Sequence, residues 1–97
     1  MSILVMREVQ IHSDKIADMK SYLAQIVPET RSYNGCQGID IYFNIDNSGN
    51  MIALQQWKSR SHFDKYQQWR RETGVVAKSE SMLTEPISTR YFKRADV

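Results

Sequence analysis

Two alternating runs either side of one short polar turn constrain this chain more than any other feature. Gly38 to Asp46 alternates Ile39, Ile41, Phe43 and Ile45 against Asp40, Tyr42 and Asn44, the period of a half-buried strand. Asp46-Asn47-Ser48-Gly49-Asn50 follows, dense in residues that tolerate left-handed backbone or bond their own main chain. The alternation then resumes at once over Met51 to Trp57. These runs predict an antiparallel hairpin, which needs further elements against it to be stable.

The flanks supply them. Ser2 to Ile11 is rich in β-branched residues, with Val5, Val9 and Ile11 on one face and Glu8 and Gln10 on the other, and reads as a first strand. Ser13 or Asp14 is suited to cap the helix that follows. Ile16, Met19, Leu23, Ile26, Val27 and Thr30 then recur at three- and four-residue steps, the stripe of an amphipathic helix ending near Ser32. Pro28 lies inside that stripe, where its missing donor and its ring predict a kink or restart near Val27. Asn34-Gly35 is a turn signal. Beyond the hairpin, Ser59 or Ser61 caps a second helix carrying Phe63, Tyr66, Trp69 and Arg70, which ends near Gly74. Val75 to Leu83 reads as a further short helix, Pro86 blocks its continuation, and Ile87 to Lys93 forms the last strand.

The order is βαββα(α)β over residues 1–97, one domain with no repeat or linker. It predicts an α+β, ferredoxin-like sandwich: a four-stranded antiparallel sheet with helices on a single face. The other face would carry Tyr42, Trp57 or Met51 according to register, too apolar to leave wet, so two sheets are expected to pair face to face in a homodimer.

Charge and cysteine content narrow the class. A net charge of +2 with scattered basic residues gives no footprint for nucleic acid or a membrane surface. The βαββαβ order also occurs in RNA-recognition domains, but their third strand needs a basic residue, glycine and spaced aromatics, and here it reads MIALQQW. The one cysteine, Cys36, rules out an internal disulfide and points to a reducing, cytoplasmic setting. The run Ile3 to Met6 lacks the flanks of a signal peptide, and no stretch approaches the ~18 apolar residues of a membrane span.

His12 and His62 are not spaced with Cys, Asp or Glu as a metal set would be, and no phosphate-binding glycine loop or G-x-S-x-G elbow is present. No metal and no cofactor is expected. His62 in a helix first turn and Cys36 after a turn glycine read as structural. The richest cluster is Trp57, Tyr66 and Trp69 with Arg70 beside them. These aromatics either fill the core or, through their polar handles, line a pocket for a small molecule. Arg31 and Arg70, near helix ends, could each hold a ligand oxygen or pair with Glu29 or Glu72.

A family likeness rests on the same residues. Val27-Pro28-Glu29-Thr30-Arg31, Gly35-Cys36, Ile39-Asp40-Ile41-Tyr42, Gln56-Trp57-Lys58-Ser59, Tyr66 with Trp69-Arg70-Arg71-Glu72-Thr73-Gly74, Pro86 and Arg90-Tyr91-Phe92 together resemble the antibiotic-biosynthesis-monooxygenase domain, in its quinol-monooxygenase branch. The likeness covers nearly the whole chain, and W-R-x-E-T-G is its most distinctive run. It implies a dimeric α+β barrel and a pocket between sheet and helices near Trp57 and helix two. It also implies cofactor-independent oxygenation of a small aromatic or quinol-type molecule, with Arg31, Trp57, Tyr66, Trp69 and Arg70 as substrate-binding residues. It identifies no catalytic base. Haem cleavage, known in another branch, is disfavoured: Met6 and Arg7 stand where that branch has a strand-one asparagine, Tyr66 replaces its tryptophan, and Val76 lies near its histidine. A non-catalytic small-ligand-binding or stress-related dimer of the same barrel is the alternative, because catalysis of this kind leaves no cofactor motif to find.

Overall fold

The computed structural model describes residues 2–97. Strands β1 (Ile3–Gln10), β2 (Cys36–Phe43), β3 (Asn50–Trp57) and β4 (Ser88–Phe92) form one antiparallel sheet in the order β2-β3-β1-β4. Helices α1 (Ile16–Ser32), α2 (Arg60–Glu72) and the short α3 (Val75–Glu80) complete the chain. The ferredoxin-like α+β fold and its element order are those expected.

Register settles which face is which. Ile3 pairs with Trp57 and Val9 with Met51 across β1 and β3, so the residues in phase with Val5 and Val9 share the helix-covered face. Val5 and Trp57 are fully buried there with Phe63 and Tyr66, while Val9, Ile11, Met19, Met51, Met82 and Leu83 make a second core cluster. Trp57 and Met51 are therefore inside, against the expectation that either would occupy the open face. Only Tyr42 of that trio lies on the open side, half exposed.

Three further expectations are corrected. β2 begins at Cys36, with a register shift before Gly38, and stops at Phe43, so Ile45 falls in the turn, 99% exposed. Its alternation with Phe43 was fortuitous because Asn44 and Asp46 already bond within the turn. Neither Ser13 nor Asp14 caps α1: both lie in a 3₁₀ turn, Ser13–Lys15, which begins the winding early. α1 also continues through Pro28 to Ser32 with no restart. The carbonyl that Pro28 leaves unpaired belongs to Ala24, and both residues are exposed, so water replaces the lost bond.

The α2 start is as expected, with Ser59 accepting from the His62 N–H. Gly35, at φ +93°, turns the chain from α1 into β2 directly under His62, where a Cβ would collide with the ring. Gly74 ends α2 in the left-handed conformation.

Candidate functional site

Between the two core clusters, α1, α2 and α3 stand off the sheet and leave a partly open cavity of about 100 Å³. The wall is mostly aliphatic, drawn from Val9, Met19, Val27, Ile39, Met51 and Leu83 among others. Its polar groups are few: Thr30, Gln55, Tyr66, Gln67, Ser79 and the guanidinium groups of Arg7 and Arg70. This is the composition of a small-molecule site, with apolar walls and sparse, placed polar atoms. No His, Cys, Asp, Glu or Lys lines it. Among the described residues no group of three His, Cys, Asp or Glu gathers as metal ligands would.

Two of the five expected binding residues reach this wall. Arg70, 2% exposed, is almost fully engaged: Nε donates to the Tyr66 hydroxyl (2.9 Å), Nη1 to Glu29 Oε1 (2.9 Å), and Nη2 to the Ile26 carbonyl (2.8 Å) and Thr30 Oγ1 (3.0 Å). Burial disfavours its charge, but the hydrogen bonds to Tyr66 and Glu29 outweigh burial and hold its pKa above the ordinary arginine value. Arg70 therefore ties α2 to α1. The Tyr66 hydroxyl lies 2.6 Å from Thr30 Oγ1, so phenol, alcohol and guanidinium form one network at the cavity edge.

The other three lie off the wall. Trp57 is sealed in the core with its indole N–H on Gln55 Oε1 (2.9 Å). An indole N–H can only donate, so this bond fixes the Gln55 amide with its oxygen toward Trp57 and its NH₂ as the remaining donor. Gln55 in turn lines the cavity. Trp69 stacks on Tyr33, centroids 5.1 Å apart at 24°, outside the cavity. Arg31 is exposed and donates to the Ile39 carbonyl (3.3 Å). The structural readings of His62 and Cys36 agree with their surroundings: His62 Nδ1 sits 2.6 Å from the capping Ser59 hydroxyl, and burial raises the Cys36 thiol pKa, disfavouring the thiolate.

Sequence reasoning missed Arg7, Gln55 and Gln67. Arg7 carries the clearest signal, because it sits in phase with Val5 and Val9, a cation at an inward position of an apolar strand.

The antibiotic biosynthesis monooxygenase family model matches residues 2–71. No curated protein matches the chain in sequence. Among solved structures, Rv0793 from Mycobacterium tuberculosis superposes with a TM-score of 0.87 at 20% identity, covering 100% of this chain and 98% of that one. A conserved protein from Methanosarcina mazei Go1 gives 0.88 at 16% identity, covering 97% and 93%. A mutant of SnoaB, a cofactor-independent oxygenase from Streptomyces nogalater, gives 0.84 at 11% identity, covering 99% and 95%.

Proposed function

Because the chain belongs to the antibiotic biosynthesis monooxygenase family, we propose that it is a cofactor-independent monooxygenase acting on a small aromatic or quinol-type molecule held in the cavity between sheet and helices. The observation that carries this reading is the largely aliphatic cavity between sheet and helices, edged by a phenol–alcohol–guanidinium network. The description of SnoaB, which shares the fold, as a cofactor-independent oxygenase supports it.

The chemistry asks little of the protein. An electron-rich quinol that loses a proton can pass an electron to O₂ directly. One oxygen atom then enters the substrate and the other leaves as water, the substrate supplying the electrons. The chain must bind the ring, stabilise its anion and keep bulk water out. In this reading the one O–H proton that the Tyr66–Thr30 bond leaves free donates to a substrate oxygen, Arg70 holds that pair in place, and the aliphatic wall shields the ring. Arg31, Trp57 and Trp69 serve the site from outside its wall, Trp57 through Gln55.

The open sheet face supports a homodimer. Leu4, Met6, Ile52 and Leu54 are contiguous there, flanked by Tyr42 and Phe92, 50% and 43% exposed, and rimmed by Glu8, Arg90 and Asp40. A face of this kind pairs with its own copy about a two-fold axis. Among the described residues no helix is long and apolar enough to cross a membrane. The lone Cys36 fits a reducing, cytoplasmic setting.

A wall without carboxylate or imidazole favours one second reading, a non-catalytic binder of small molecules. Oxygen uptake separates the two. Metal-free protein is expected to consume O₂ above the autoxidation blank with at least one of a panel of hydroquinones. Tyr66→Phe, which takes away the phenol that the substrate oxygen and the Arg70–Thr30 network share, should slow uptake about tenfold. Uptake at the blank rate across the panel would leave the binding reading.

A further inference from the structure

Arg7 and Arg70 border the same cavity in opposite states. Arg70 is saturated. Arg7, at the middle of β1 and paired with Ala53 and Thr89, points inward beside Val5 and Val9 with its Nε buried and without any hydrogen-bond partner. It joins no ion pair among the described residues. The charged and titratable groups around it are Tyr66 and Arg71 from α2, Tyr91 from β4 and Glu80 from α3. Burial is the largest influence on its pKa and lowers it from the ordinary arginine value; Tyr66, Tyr91 and Glu80 offset that only in part, and the one aromatic face near the guanidinium is Phe63, 6.0 Å away.

Its position is also that of a gatepost. Arg7, Gln67, Val76 and Ile87 line both the inner cavity and an outer hollow of about 420 Å³ that Arg71 and Glu80 border. The guanidinium thus lies where the outer hollow and the aliphatic cavity adjoin. A planar fork of unpaired donors at the end of an apolar chamber is suited to an oxyanion, with the apolar body of the same molecule behind it.

We infer that the cavity takes a compact aromatic molecule carrying a single oxyanion, and that Arg7 holds that oxygen. This rests on the cavity being the binding site, and it adds the charge of the ligand and the residue that selects it. It also answers the missing base: a molecule that arrives ionised, or whose proton leaves to water while Arg7 stabilises the anion, needs no carboxylate or imidazole on the wall. A carboxylate and a phenolate share this chemistry.

The test uses the full chain and three probes: benzoate, its neutral isostere benzamide, and 4-nitrophenol, whose ionisation is read from its absorbance. At neutral pH the protein is expected to bind benzoate at least about tenfold more tightly than benzamide, or to lower the ionisation pH of bound 4-nitrophenol by about one unit, the same tenfold factor. The first result marks a carboxylate ligand and the second a phenolate. Arg7→Met should abolish the preference, and Arg7→Lys should retain most of it. Arg7→Met is expected to remain folded with a raised thermal midpoint, since it removes a buried Nε that has no hydrogen-bond partner. Equal binding of benzoate and benzamide with no shift for nitrophenol, or a preference that survives Arg7→Met, overturns the assignment and leaves the cavity reading standing. Failure of all three probes to bind overturns both.

Discussion

Replacing Arg70 with methionine is expected to lower the stability of the fold by about 3 kcal/mol. Four donor contacts leave at once, and they join α2 to the Ile26 carbonyl, Thr30 and Glu29 of α1 and to Tyr66 on its own helix. Each such bond to a charged group is worth roughly 1.5–3 kcal/mol, but the total is recovered in part. Tyr66 and Thr30 keep their mutual bond, the Ile26 carbonyl stays on the main-chain ladder, and the Glu29 side chain, 58% exposed, returns to water. For a domain of this size the loss corresponds to a fall in thermal midpoint on the order of 15 °C, measurable by circular dichroism. Arg7→Met, the same exchange across the same cavity, should move the midpoint the other way. The difference is hydrogen bonding: removing Arg70 leaves acceptors unpaired, whereas removing the half-buried Arg7 gives up no hydrogen bond and relieves its buried, unbonded Nε. An unchanged midpoint in Arg70→Met would mean that the network does not hold the helices together.

Leu54→Arg is expected to turn a dimer into a monomer. Leu54 lies on β3, a central strand of the open face, between Met6 on β1 and Asp40 on β2. A two-fold axis through that face brings the substitution in twice. Two guanidinium groups facing each other in an apolar contact cost roughly 4 kcal/mol or more, a weakening of about a thousandfold or beyond in dissociation constant. Sedimentation equilibrium at micromolar concentration should give twice 11.4 kDa for the unaltered chain and 11.4 kDa for the variant. The fold should survive, because position 54 sits on the side of the sheet away from the helices. A monomeric mass for the unaltered chain would remove the case for paired sheets.

The order of elements was legible because each carries its own period, and periods survive without knowledge of tertiary contacts. What needs partners was harder to read. Alternation shows that Met51 and Trp57 share a face with each other and Val5 with Val9, but only the pairing of Ile3 with Trp57 reveals that both sets face the helices. Ile45 continued the right pattern in a segment whose turn had already begun. The aromatic cluster was correctly located near α2, yet its members separate by function of depth: Tyr66 reaches the cavity, Trp57 lies beneath its wall and Trp69 outside it. Arg7 was visible as a break in the inward series Val5, Val9, Ile11. An isolated charge in a strand signals a site only when the structure shows that nothing neutralises it.

The central claim is that a small molecule occupies the space between the sheet and α1, α2 and α3. It is tested most directly by titrating the ¹⁵N-labelled chain with a soluble hydroquinone under anaerobic conditions and mapping the amide shifts. Saturable changes are expected at Ala53, Gln55, Tyr66, Gln67 and Val76, which line the cavity from three sides. Shifts confined to the open face at Leu4, Ile52 and Leu54, with the cavity wall unmoved, would contradict it.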